Sequence, residues 1–299
     1  MKSDLRGNDM GMDELFLSRI EEWSSEEYDE RIAEAIDVYD EWKAEMSESQ
    51  KVQVGKLIKE FHYYTSKRIN NILAILHNEA VERFGISTKD TVISVVRKKD
   101  GKLGSSSEYW LRYKYACGMS SIFYDSLDDI QENDWKNILK VVFVDDCSGT
   151  GETFIKFLKR QKKDLRDKQI LLITIEMMKN AQIAIEDYAK ENMLNIWMIN
   201  YSQQEKALNI FSDSEVKSFV ELSDSKSIPE NYIKGFNKTE ALMAFYNNTP
   251  NNTLGIFLCP TEHNVPIFRR QFPEEAGWKN CKEEKHNRKE QQYNSKKVK

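Results

Sequence analysis

Proline is scarce in this 299-residue chain: there are five, and none precedes Pro229. The N-terminal helical patterns are therefore never broken by a residue that lacks an amide donor. Cysteine is scarce too. Cys117, Cys147, Cys259 and Cys281 lie far apart and never form a CxxC pair, which argues against a zinc site or a disulfide framework and leaves reduced thiols in a cytoplasmic protein as the simpler expectation. No run approaches the ~18–20 apolar residues that a membrane span requires. The opening segment MKSDLRGNDMGMDELF has no apolar signal-peptide core either. A soluble protein without membrane contact is expected. A net charge of −5 gives no sign of a general polyanion binder. Residues 281–299 hold seven Lys/Arg against three Glu, a local +4 that leaves −9 for residues 1–280. With almost no apolar residues and alternating charges, this tail reads as a disordered end more readily than as a nucleic-acid arm.

What is present, 40% hydrophobic and 11% aromatic residues, suffices for one main domain with additions. Residues 1–85 read as a helical N-terminal region. Ser24-Ser25-Glu26-Glu27 offers an N-cap with a glutamate three positions on, followed by Ile32, Ala35, Ile36, Tyr39 and Trp42 at helical spacing. A longer helical pattern runs from Val54 to Ala80 and closes near Gly85. Residues 86–225 alternate short apolar runs (91–96, 141–144, 170–175, 195–199) with helical stretches (106–118, 153–165, 178–193), the rhythm of an α/β domain with a mostly parallel sheet. Residues 226–280 are turn-rich but apolar enough for an ordered C-terminal extension docked on the core. Residues 281–299 form the basic tail.

The stretch VVFVDDCSGTGETF, residues 141–154, carries the chemistry. If Val141–Val144 is a central strand and a helix begins at Thr153, the intervening loop turns successive amides, the hydroxyls of Ser148, Thr150 and Thr153, and a helix N-terminus toward one point. That arrangement suits a phosphate dianion. Asp145 and Asp146 cannot face the same phosphate, because like charges in a desolvated pocket repel. They must meet something neutral or cationic nearby, such as vicinal sugar hydroxyls or Mg²⁺. A sugar with a phosphate at one end satisfies both demands. A Walker A loop fits less well because no lysine follows the glycines, and the GxGxxG fingerprint is only half present, as Gly149-x-Gly151, with Phe154 where its third glycine belongs. The plainer alternative is that the aspartates and hydroxyls only cap a turn and a helix.

VDDCSGTGET resembles the phosphoribosyl-pyrophosphate signature of type I phosphoribosyltransferases: a hydrophobic residue, two acids, small residues, then Gly, Thr, Gly and Thr. The wider order of features, YYTS at 63–66, GSSSE at 104–108, the signature and NNTLGIF…PIFRR, is similar to phosphoribosyltransferase-like proteins with a C-terminal extension, encoded in bacterial anti-phage and conflict loci, including those associated with retrons. The resemblance implies a Rossmann-like phosphoribosyltransferase fold. It also implies that Asp145 and Asp146 hold the ribose hydroxyls as the catalytic pair, and that Cys147, Ser148, Gly149, Thr150, Gly151, Glu152 and Thr153 wrap the 5′-phosphate. Mg²⁺ would be the cofactor, the metal ligands being unassigned, and a protein partner encoded nearby is implied as well.

Family members also hold pyrophosphate in a loop after an early strand. Here Lys98, Lys102, Gly104, Ser105 and Ser106 fill that place, with Ser105-x-x-Glu108 forming a capping box. A solvated charged turn explains the same residues equally well. Residues 226–280, with Asn251, Asn252, His263 and Arg269, are the candidate specificity hood, or else an extension that only covers apolar surface or docks a partner. His62, His77 and His263 are isolated, and none is singled out as a base. The expected function is phosphoribosyl transfer with release of pyrophosphate. The alternative is a non-catalytic nucleotide sensor or adaptor that uses the same pocket and acts through a protein partner.

Overall fold

A computed structural model describes residues 11–97, 105–118 and 122–270. The first helix, α1 (Met12–Ser24), buries Met12, Phe16, Ile20 and Trp23 along one stripe, and α2 (Glu30–Lys43) starts after Asp29, whose carboxylate accepts the Arg31 amide at 2.9 Å. Ser24 thus closes a helix and does not open one. The upstream apolar stripe carries α1 through it, and its hydroxyl donates back to Ile20 O at 2.6 Å. The pattern from Val54 to Ala80 is likewise two helices. α3 (Glu48–Lys59), with a Ser47/Gln50 capping box, gives way to a strand, β1 (His62–Tyr64), before α4 (Ser66–Phe84) begins behind its Thr65 cap. Gly85 ends α4 with φ +59°, as the sequence predicts.

The α/β core alternates strands and helices as expected, with β3 and α6 added between two of the expected elements and α7 ending at Leu158, short of the expected 165: β2 (Thr91–Ser94), α5 (Ser105–Cys117), β3 (Phe123–Tyr124), α6 (Glu132–Trp135), β4 (Lys140–Ser148), α7 (Glu152–Leu158), β5 (Gln169–Met178), α8 (Lys179–Glu191) and β6 (Asn195–Gln204). All five strands are parallel, in the order β3-β2-β4-β5-β6. The central strands β4 and β5 are nearly continuous buried Val, Ile, Leu and Phe, as a sheet covered on both faces requires. Phe154 and Phe157 of α7 pack edge-on against Phe143 of β4. Strand pairing runs further than hydrophobicity suggests. β4 stays in register with β5 through Asp145↔Thr174 and Ser148↔Met177, so both aspartates lie within the strand and not after it.

The chain then forms α9 (Asp213–Ser225), α10 (Glu230–Ile233), β7 (Met243–Phe245) and α11 (Gly255–Leu258). β7 pairs in parallel with β1, His62↔Met243 through Tyr64↔Phe245. This two-stranded sheet divides two hydrophobic cores. Tyr64, Met243 and Phe245 join the core of the main sheet, while Tyr63 and Ala244 join a second core built from α1–α3, α9 and the C-terminal segment. The Arg31 guanidinium of α2 fastens that segment, donating to Phe245 O, to Thr249 Oγ1 at 2.8 Å and to Arg269 O at 2.8 Å. No helix among the described residues is long and apolar enough to cross a membrane.

Candidate functional site

Beyond the last core residue of β4 the chain meets no further hydrophobic demand, and its polar residues border a cavity of about 590 Å³. Such a volume is in the usual range for small-ligand sites. Asp145, Asp146, Cys147, Ser148, Gly149, Thr150, Gly151, Glu152 and Thr153 all line it, together with Ser106 and Glu108 of α5 and Thr174 of β5. The carboxylates are turned along the strand: Asp145 Oδ1 accepts the Asp146 amide at 3.0 Å, and Asp146 Oδ1 accepts the Cys147 amide at 2.8 Å.

Gly151, with φ +75°, makes the turn from loop to α7, a conformation in which an L side chain is strained. A Cβ there would also stand 3.0 Å from Ile185 Cγ1 and 3.1 Å from Ala181 O of α8. Among the described residues, the amides of Gly149, Thr150, Gly151 and Thr153 donate to no protein acceptor, and the Glu152 amide makes only a 3.4 Å contact with Thr150 Oγ1. A chain of such amides beside a helix start is an anion cradle. The Glu152 carboxylate is directed away to Lys156, at 2.6 Å. Thr174 Oγ1 is buried with no hydrogen-bond partner among the described residues.

The opposite wall comes from the C-terminal segment: Phe236, Asn247, Asn248, Pro250, Asn251, Asn252 and Arg270. Asn252 reaches over the loop so closely that a Cβ on Gly149 would lie 2.3 Å from its Nδ2, which itself donates to Thr239 Oγ1 at 2.9 Å. Glu108 bridges across the cavity. Its carboxylate accepts from Tyr246 Oη, from Asn247 Nδ2 at 2.6 Å and from Arg112 Nε at 3.1 Å, tying α5 to the far wall.

Charge is managed by neighbours. Burial alone would raise the Glu108 pKa, but the hydrogen bonds from Tyr246, Asn247 and Arg112 outweigh it and hold the carboxyl below its usual range. Burial pushes the Cys147 thiol well up, and the nearby Asp146 and Asp145 add to the effect, so Cys147 stays protonated and uncharged. Burial lowers the Arg270 pKa, an effect that the Asp146 carboxylate opposes.

The predicted second loop is only partly in view: Lys98, Lys102 and Gly104 lie outside the described residues, and of Ser105 only the helical backbone is described. Ser106 borders the cavity, but its hydroxyl proton goes to Val96 O at 2.8 Å, pinning α5 to the end of β2. Of the hood candidates, Asn251 and Asn252 line the cavity, whereas Arg269 does not and the exposed His263 faces Glu262 at 3.5 Å. His77 is buried against Tyr113 Oη at 2.9 Å, and His62 meets the buried Glu176 at 2.9 Å; neither lines the cavity. Asn247 carries no signal that marks it as a site residue in the sequence; Glu108 is marked there only as the end of a capping box and Arg270 only as the last residue of PIFRR. The run NNTPNNT marks a turn, but only the β1–β7 pairing shows which asparagines face β4.

The PRTase-CE family model matches residues 39–270. Among solved structures, the Helicobacter pylori xanthine-guanine-hypoxanthine phosphoribosyltransferase is similar at 10% identity and a TM-score of 0.32, over 52% of this chain and 97% of its own. No curated protein matches the chain.

Proposed function

Because the chain belongs to the PRTase-CE family, we propose that the cavity at the end of β4 binds phosphoribosyl pyrophosphate, or a related ribose 5-phosphate, and transfers the phosphoribosyl group. The observation that carries this reading is the joint placement of the unsatisfied loop amides and the Asp145–Asp146 pair in one cavity. The amides and the α7 start take the 5′-phosphate. The aspartates accept hydrogen bonds from the ribose hydroxyls and oppose the positive charge that develops on the ring at the transition state. The bond from C1 to the pyrophosphate oxygen breaks with its electron pair leaving on pyrophosphate, a bond from C1 to the incoming nucleophile forms, and the nucleophile's proton passes to solvent.

No group of three or more His, Cys, Asp or Glu side chains that could cage a metal occurs among the described residues. Mg²⁺ fits all the same, since it keeps several waters and takes one or two carboxylates, here Asp145 and Asp146, plus phosphate oxygens. Its contribution when bound is to neutralise charge on the departing pyrophosphate. The protein's own part is orientation.

Titration with phosphoribosyl pyrophosphate and Mg²⁺, followed by a pyrophosphate-release assay across nucleobases and other nucleophiles, tests the proposal. Saturable binding with release is the expected result. Binding without release across the panel assigns the cavity to nucleotide sensing, and absence of binding overturns the reading.

A further inference from the structure

The five-stranded sheet ends differently on its two sides. β3, at one edge, is two residues long, whereas β6, at the other, runs for ten and among the described residues pairs only with β5. A long strand edge presents unpaired amides and carbonyls that template pairing with another chain, and proteins commonly blunt it with charged side chains or proline. β6 carries neither guard. From Asn192 to Gln204 there is no Lys, Arg, Asp, Glu or Pro, in a chain that is 31% charged. Charge resumes only beyond the strand, as Lys190-Glu191 before it and Glu205-Lys206 after it, neutral at each end. Among the described residues, no backbone group of residues 195–203 bonds to backbone outside the sheet, and one carbonyl, Ser202 O, takes the Asn200 side-chain amide at 3.0 Å. Alternation along the strand puts Asn195, Trp197, Ile199, Tyr201 and Gln203 on one face, which Phe84 of α4 meets with its ring centroid 5.5 Å from that of Trp197. Ile199 is buried at the middle of this row, whereas Trp197 is still 46% and Tyr201 43% exposed, and Asn195 and Gln203 are exposed at its ends.

The row reads the same way from both ends. We propose that the protein dimerises through β6, two copies joining edge to edge in antiparallel register about a two-fold axis at Ile199, so that two five-stranded sheets become one of ten strands. Each Trp197 then lies opposite Tyr201 of the second copy, and each Asn195 opposite its Gln203. Aromatic pairs across antiparallel strands are stabilising, the amides can exchange hydrogen bonds, and no like charges are opposed. A second copy fits this edge better than an unrelated strand because the pairing repeats across the axis and β6 has no charge with which to select a charged partner. Assembly stops at two copies, since β3 is too short to offer a comparable edge. No residue of β6 lines the cavity at the end of β4, so each copy keeps its own site.

Sedimentation of the full chain at low salt, from about 1 to 100 µM, tests this with wild type, Asn195→Lys/Gln203→Lys and Asn195→Lys/Gln203→Glu. The two double variants differ at one exposed side chain, and the proposed register sets position 195 of one copy against position 203 of the other, twice per dimer. Wild type should be a dimer at the upper concentrations. The double-lysine variant opposes like charges at both places and should raise the dimer dissociation constant at least about tenfold. The lysine–glutamate variant opposes unlike charges and should return it to within about threefold of wild type. Circular dichroism should show the same folded signal for all three. A wild type that stays monomeric throughout overturns the proposal. So do double variants that dimerise equally well or are equally weakened, because either result places the contact elsewhere or in another register.

Discussion

Gly149→Ala separates what the loop does for the fold from what it does for a ligand. The added methyl would lie 2.3 Å from Asn252 Nδ2 and 2.4 Å from its Cγ, so the asparagine side chain must move and give up its 2.9 Å bond to Thr239. Losing that bond costs about 0.5–1.5 kcal/mol, and displacing the packed side chain brings the total to about 1–3 kcal/mol. At about 2–4 °C per kcal/mol for chains of roughly this size, the melting temperature should fall by about 2–12 °C. Asn252→Ala alone costs only the bond, and in the double variant the clash has no partner left. The two substitutions should therefore be non-additive by more than about 0.5 kcal/mol in a denaturant-unfolding cycle. Ribose 5-phosphate binding should not return with the stability, because the methyl still crowds the amide cradle. Additive costs within about 0.3 kcal/mol would refute the claimed contact, and recovery of ligand affinity in the double variant would refute the role of the loop.

Acid should loosen the link between α5 and the far wall. The folded pKa of Glu108 is depressed, so the stability it contributes is fully present above the ordinary glutamate value of about 4.3 and is lost as pH falls through the lower folded value. The gap in melting temperature between wild type and Glu108→Gln should hold steady near neutrality and close toward about pH 3; a gap that does not change with pH would contradict this. At the seam of the two cores, Glu176 is fully buried, accepts from Tyr64 and His62 through Oε2, and among the described residues has no partner at Oε1. Removing a further donor by Tyr64→Phe should cost about 1.5–3 kcal/mol in denaturant unfolding, and a loss under about 0.5 kcal/mol would show the bond to be dispensable.

The parallel core was legible because β4 and β5 are apolar runs with helical stretches between them, and Asp145 through Thr153 were legible because each constrained position of the signature is filled. Other features depended on contacts between distant parts of the chain. Tyr63 and Tyr64 look like part of a helical stretch until Ala244 and Phe245 supply the strand beside them. The aspartates look like the end of a strand until Thr174 and Met177 extend the ladder. Ser24 looks like a cap only if the Met12–Trp23 stripe is overlooked. Arg270 ends the PIFRR segment, but nothing in that segment places it on the cavity: it lies there beyond the pairing of β7 with the distant β1 and beside a chain held by Arg31 of α2.

The central claim is that the amides of residues 149–153 hold a phosphate while Asp145 and Asp146 hold the sugar that bears it. Calorimetric titration of wild type and Asp145→Asn/Asp146→Asn with phosphoribosyl pyrophosphate and Mg²⁺ addresses it most directly. The account predicts saturable one-site binding to wild type and a loss of at least about tenfold in the variant, with its melting temperature within a few degrees of wild type. Equal affinity for both proteins would contradict it.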